Sequence, residues 1–309
     1  MQWSKIKTLF ILSFLVLNIY LLIQYIDKQD RQDFVELNYQ DTPLEEQLES
    51  ENITIEDVDV DVSEDTYISV SQHIFTDAEK EELADLSDQT PVIFDDSFIV
   101  SAVDDPIAIP ETATPENINN IVRNHIVFPE SYSFGEWNEE MNVLLFFQET
   151  RDRPIYFNAY ALLMVYLNEE NEMVYYTQSM LGEPEPQEDL KSLIQPIQAL
   201  GTLYDRNHLY PDDVVNPVEL GYHTRIPLAN GEQVFAPSYH ISVNDERSYF
   251  VNAIEGQTFP SEEAEFILEM LDLTNRVIEQ LDDDHEWKED MQDHLNGMRE
   301  NEDNRSDME

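Results

Sequence analysis

The chain has 309 residues, with 66 acidic against 16 basic side chains and a formal charge of −50. That balance excludes nucleic acid as a partner, because such a surface repels phosphate, and it opposes contact with anionic lipid headgroups. Yet 41% of residues are hydrophobic and 11% aromatic, enough to build a core, so the charge reads as a solvated skin on a folded domain and not as disorder. The chain contains no Cys, which removes disulfides, thiol nucleophiles and thiolate zinc sites from consideration.

In chain order, the first element is apolar. Leu9 to Ile26 is interrupted only by Ser13, Asn18, Tyr20, Gln24 and Tyr25. Eighteen helical residues span about 27 Å, close to the hydrocarbon thickness of a bilayer. Trp3 at one end and Tyr20 and Tyr25 at the other suit the headgroup zone. No small-residue cleavage step follows the run, so a membrane anchor is the expectation over a cleaved signal peptide. Lys5 and Lys7 balance Lys28 and Arg31, and the α-amino group tips the orientation toward a cytoplasmic N-terminus. The expected layout is a cytoplasmic stub over 1–8, a transmembrane helix over 9–26, and the bulk of the chain outside the cell. Residues 1–26 hold two basic residues and no acid, so the remainder carries −52.

Residues 27–52 read as a juxtamembrane linker, partly helical around Leu44 and Leu48. Ile53 to Val62 alternates apolar and acidic residues, the period of a strand with one wet face, and Tyr67 to Ile74 alternates similarly. Thr76 and Glu79 form a capping box for a helix over 77–86. Short apolar runs at Val92–Phe94, Phe98–Val103 and Ile107–Ile109 predict strands.

A pattern then appears twice. Thr114-Pro115-Glu116 opens a helix bearing Ile118, Ile121, Val122 and His125. Strands over 141–149, 154–167 (broken near Ala159) and 173–180 follow, the last two joined at Asn168–Asn171. A second helix over 188–204, kinked or restarted at Pro196, precedes strands over 218–228, 232–243 and 248–254. Asn230-Gly231 and Asn244-Asp245-Glu246 are the hairpin signals. A last helix begins at Ser261. The predicted fold class is α+β: two similar helix-plus-antiparallel-sheet units, over 53–183 and 184–281, the second carrying the C-terminal helix. Residues 282–309, with 12 acids and three basic residues, read as an acidic disordered tail.

No chemical motif stands out. Asp57, Asp59 and Asp61 imitate the start of a calcium loop, but the sixth and twelfth places hold Val62 and Ile68 instead of Gly and Glu. Ser4-Lys5-Ile6-Lys7 matches S-x-x-K only at the membrane entrance, where no pocket forms. His223 and His240 fall in neighbouring predicted strands, a pairing that near a carboxylate would sense pH. Glu139/Glu140 and Asp104/Asp105 are pairs that composition alone supplies. No metal or cofactor site and no catalytic residue is expected. Ser13 and Asn18 are candidate transmembrane contacts, since a polar side chain in hydrocarbon seeks a partner. Tyr156, Tyr160 and Tyr175 are candidate linings of an aromatic groove.

Several segments carry a resemblance. Met1-Gln2-Trp3-Ser4-Lys5-Ile6-Lys7-Thr8-Leu9-Phe10-Ile11 with the span that follows, Phe157-Asn158-Ala159-Tyr160, Val174-Tyr175-Tyr176-Thr177-Gln178 and Tyr249-Phe250-Val251-Asn252-Ala253-Ile254-Glu255-Gly256 resemble the YycI regulatory proteins of Gram-positive bacteria, over residues 1–260. The resemblance implies an extracytoplasmic domain of two similar α+β units related to YycH, without catalysis. It also implies association with YycH and with the sensor histidine kinase WalK/YycG, which governs cell-wall turnover genes. Two readings from other classes stand beside it. A wall hydrolase needs a cleft with two carboxyls about 5–10 Å apart. An extracytoplasmic binding module for a wall fragment or secreted protease needs an apolar groove.

Overall fold

The structure is a computed structural model that describes Lys7, 11–20, Leu22, 44–58, 60–187, 189–224 and 232–306. Residues 11–20 are helical, and every side chain in them is exposed. In chain order the folded part comprises α1 (Leu44–Ser50), β1 (Thr54–Ile55), β2 (Glu64–Asp65), β3 (Ile68–Ser71), α2 (Asp77–Ala84), β4 (Gln89–Phe94) and β5 (Phe98–Ala108). Next come α3 (Pro115–Val122), β6 (Tyr132–Asn138), β7 (Val143–Thr150), β8 (Arg153–Pro154), β9 (Leu162–Leu167), β10 (Glu172–Ser179), β11 (Glu185–Pro186) and β12 (Lys191–Ser192). The chain continues with α4 (Pro196–Asp205), β13 (Val214–Val215), β14 (Glu219–His223), β15 (Glu232–Val243), β16 (Arg247–Asn252), β17 (Thr258–Pro260), α5 (Glu263–Ile278) and α6 (Lys288–Ser306).

The first sheet is antiparallel, in the order β4-β5-β10-β9-β7-β6. Its two faces are both covered. On one, Ile99, Leu144, Phe146, Leu163 and Val165 meet Leu83 of α2 and Ile118 and Val122 of α3. On the other, Val100, Leu145, Met164 and Tyr166 meet Ile267, Met270 and Leu271 of α5, then Trp287 and Met291, Leu295 and Met298 of α6. Burial on both faces is why β9 reads Leu-Leu-Met-Val-Tyr-Leu without alternation. The Tyr166 and Thr274 hydroxyls meet at 3.0 Å and tie α5 to the sheet centre.

The second sheet runs β1-β13-β15-β16-β17, with β14 and β3 also pairing with β15. One face is covered by Leu44 and Leu48 of α1 and by Ala199, Leu200 and Leu203 of α4. Between the sheets Ile68, Ile155, Leu181, Tyr222 and Phe235 form a smaller core, and Ile155 bridges Tyr222 in parallel. Each sheet is thus entered through a helix lying on it, followed by an antiparallel meander.

Acid content also serves the turns. With only seven Gly in the chain, the positive-φ positions are taken mainly by Asn and Asp, which tolerate the left-handed region. Asp95 and Asp96 (φ 47° and 56°) and Asn244 and Asp245 (58° and 56°) are the first two residues of three-residue hairpin loops, between Phe94 and Phe98 and between Val243 and Arg247.

Several expectations need correction. Lys288–Ser306 of the expected disordered tail is helical, and Trp287, Met291, Leu295 and Met298 lie one above another at helical spacing, buried on the first sheet. The first unit does not extend over 53–183, because β1 pairs with β13 and β3 with β15, so these two early strands belong to the second sheet, while β2 pairs with β12. Likewise α5 packs mainly on the first sheet and not within the second unit. Among the described residues of Ile53 to Val62 the only strand is the two-residue β1, and Val58 and Val60 pack at the rim of the second core. The second helix begins at Pro196. Among the described residues no helix is long and apolar enough to cross a membrane. Ser4, Leu9, Phe10, residues 23–26, Asp59 and the Asn230-Gly231 turn lie outside the described residues.

Candidate functional site

Where the two sheets meet, both present rings. Phe147 of β7, then Tyr156 and Phe157 after β8, come from the first. His240 of β15, Phe250 of β16 and His223 of β14 come from the second. Their centroids form a chain: Phe147–Tyr156 at 5.3 Å, Tyr156–His240 at 4.9 Å, His240–Phe250 at 5.0 Å and Phe250–His223 at 4.2 Å. Phe266 of α5 closes on Phe157 at 5.4 Å. Phe157 holds φ 44°, a costly conformation for a bulky residue, and ring contacts on three sides fix it there.

A cavity opens at each end of this seam. One, of about 260 Å³, is bounded by Glu136, Glu149, Glu219, Phe147, Tyr156 and His240. The Tyr156 hydroxyl donates to Glu219 Oε2 at 2.9 Å. The other, of about 440 Å³, is bounded by Tyr67, Lys191, His223, Asn252, Glu255 and Phe259 among others.

The two histidines do not form a cross-strand pair. The register opposes His223 to Ala236 and His240 to Glu219, and both rings instead rest on Phe250. Burial pushes each imidazole down to about 4, so both are neutral through the range in which a histidine switch operates. The three tyrosines are likewise dispersed. Tyr156 is buried in the seam, Tyr160 is 40% exposed on its turn, and Tyr175 faces His294 of α6 at 5.6 Å. Ser13 and Asn18 are exposed on the N-terminal helix. Glu139, Glu140, Asp104 and Asp105 are exposed as well, and no group of three or more His and carboxylate side chains among the described residues has metal-binding geometry.

Spacing in the sequence gives no hint of the carboxyl pair that folding does assemble. Glu136 of β6 lies against Glu263, in the first turn of α5, and Asn138 Nδ2 donates to Glu263 Oε1 at 2.7 Å. Burial, then the neighbouring Glu263 carboxylate, pushes Glu136 up to about 8. Unfolded, Glu136 titrates near ~4.3. Folding therefore takes up a proton between about pH 4.3 and 8, and stability falls as pH rises through that window. Glu136→Gln keeps the neutral form. It is expected to remove this slope and to stabilise the protein at pH 8 by about 2–4 kcal/mol. Thermal unfolding from pH 4 to 9 measures the difference, and parallel curves for variant and parent would contradict it.

Chemically, this arrangement fastens a helix to a strand through one proton. Comparison with known proteins addresses what the whole molecule serves. No curated protein matches the chain. A family model described as YycI protein matches residues 32–254, a range that includes the first sheet, the second sheet as far as β16, every ring of the seam except Phe266, and most of the lining of both cavities. With more than two thirds of its length matched, the chain belongs to the YycI family.

Proposed function

We propose that this chain is a non-catalytic, membrane-anchored regulator of the sensor histidine kinase WalK/YycG that acts together with YycH. Membership of the YycI family, a regulatory family, implies involvement in the WalK/YycG two-component system. The observation that carries the finer reading is the N-terminal helix. Ile11, Leu12, Phe14, Leu15, Val16, Leu17 and Ile19 are 47–70% exposed in one continuous run, whereas in the folded part most large apolar side chains are packed in cores and the exposed ones, such as Ile74 and Leu190, are scattered singly. An apolar surface of this extent on one helix calls for lipid or another helix around it. In the proposed arrangement the N-terminus is cytoplasmic, residues 9–26 cross the membrane, and both sheets lie outside the cell.

Ser13 and Asn18 are five residues apart. At 100° per residue they point about 140° apart, so each addresses a different neighbour. Asn18, the stronger hydrogen-bonding group, is assigned to the kinase. An interhelical polar contact in a bilayer is worth about 0.6–2 kcal/mol. Asn18→Leu is therefore expected to lower kinase co-purification from detergent by about 3- to 30-fold. Undiminished co-purification would overturn the assignment.

A further inference from the structure

Three carboxyls from three strands meet in the 260 Å³ cavity without a counter-charge. Glu136 of β6, Glu149 of β7 and Glu219 of β14 line it, and no Lys or Arg does. The buried Asp65 and Asp213, in contrast, each have arginine partners. Donors are equally scarce here. The Tyr156 hydroxyl serves Glu219 Oε2, and among the described residues the Glu149 carboxylate has no partner. Glu136 Oε1 and His240 Nε2 are buried and make no hydrogen bond. The His240 imidazole is neutral, so Nε2 accepts when the proton sits on Nδ1. A buried polar atom without a partner is costly, and a ligand that donates to it removes that cost.

The wall is preformed. Gly135 and Gly221 let two rings lie directly on the backbone, since a Cβ at either would meet the Phe147 or the Tyr156 ring at 2.4 Å. Those rings pack edge to face at 5.3 Å. Burial, then the Glu219 and Glu136 carboxylates, push the Tyr156 hydroxyl up, so both charges stand close to this one group.

No group of three or more His and carboxylate side chains among the described residues has metal-binding geometry. The three carboxyls are therefore too widely set for one metal ion and suit a larger cation. Aromatic faces favour such a cation as well, and the field of the acidic chain draws it in. We propose that this cavity binds an organic cation bearing N–H donors, an alkylammonium or guanidinium head held by Glu136, Glu149 and Glu219 with its stem against the Tyr156 and Phe147 rings. The volume, just under the usual range for drug-sized ligands, suits a charged head on a short stem. This inference is independent of the kinase contact: either can fail while the other holds.

The test uses the full chain in uncharged detergent at constant ionic strength, with saturation-transfer NMR as the readout. The probes are n-propylammonium and ethylguanidinium. Ethylurea, a neutral isostere, and tetramethylammonium, a cation without N–H, are the controls. At least one probe is expected to bind roughly tenfold or more tighter than both controls. Glu149→Gln with Glu219→Gln, both exposed at the cavity mouth, should abolish that preference. The same charge change at Glu169 and Glu170, exposed on the β9–β10 turn, should leave it intact. Affinity should rise from pH 6 to 9, because a bound cation favours the ionised form of Glu136, which burial and Glu263 push up to about 8. Glu149, Glu219, Tyr156 and His240 face Glu136 across the cavity, and Glu136→Gln should flatten the rise. Arginine blocked at both ends separates the sources: binding as tight as ethylguanidinium admits a side chain of a polypeptide, and its exclusion leaves a small amine. The probe comparison needs no substitution, so a poorly folding variant does not mask the outcome. Equal binding of probes and controls, no transfer to any probe, or an equal loss in the Glu169 and Glu170 variant would overturn the proposal.

Discussion

Trp287→Ala is expected to destabilise the protein by about 3–5 kcal/mol, the range for truncating a large buried aromatic. Trp287 is 5% exposed, and its Nε1–H donates to the Thr90 carbonyl at 3.2 Å. Thr90 lies on β4, the outermost strand of the first sheet. The substitution therefore opens a cavity and also uncovers a backbone acceptor on a sheet edge. For a chain of this size the melting temperature should fall by roughly 6–15 °C. Truncation after Leu281 should exceed that, since it also removes Met291, Leu295 and Met298 from the core. A shift below ~2 °C for either variant, in thermal unfolding by circular dichroism, would mean that this segment does not pack as described.

The second large effect is expected at Asp65, which is 4% exposed and holds the two sheets together by polar contacts. Arg151 of the β7–β8 turn and Arg153 of β8 both pair with its carboxylate. The Tyr222 hydroxyl of β14 donates to Oδ2 at 3.0 Å, and the Thr66 N–H to Oδ1 at 2.8 Å. Asp65→Ala leaves two guanidinium groups in a partly desolvated site with no counter-charge, a loss of about 3–5 kcal/mol. Asp65→Ala combined with Arg153→Met should lose less than the two single changes added together, because they remove one shared interaction. Additive losses in urea unfolding would contradict this coupling. Amide exchange at Ile155 and Tyr156 should also quicken in Asp65→Ala, since the Tyr156 N–H donates to the Tyr222 carbonyl at this junction.

Local chemistry was legible where a single residue type decides the geometry. Thr76 and Glu79 do form the capping box, Thr114 does cap α3, and Asn244-Asp245 does turn the β15–β16 hairpin. Elements whose apolar residues are few were missed. In α6 Met291, Leu295 and Met298 form the stripe, separated by Gln292, Asp293, His294, Asn296 and Gly297, so the hydrophobic signal averages away. No strand was predicted over β6, where Ser133, Gly135 and Glu136 interrupt the apolar residues. Gly135 is required there by the Phe147 ring, which a Cβ would meet at 2.4 Å. The alternation over Ile53 to Val62 misled in the opposite direction, since an extended half-buried segment has period two with or without a ladder partner. The Glu136–Glu263 pair and the ring seam were out of reach, because each joins positions that only the packing of α5 and the second sheet against the first brings together.

The reading of this chain as a regulator acting from the membrane rests on residues 9–26. The most direct measurement is complementation of a deletion strain at equal protein abundance, with wall-gene output as the readout. One arm supplies the full chain, and the other supplies residues 44–309 exported behind a cleavable leader. A regulator that biases a membrane kinase through helix packing acts by its differential contact with the kinase's two states. The full chain should therefore restore regulation and the exported domain should not. Restoration by residues 44–309 alone would contradict the account and move the regulatory contact to the outer surface.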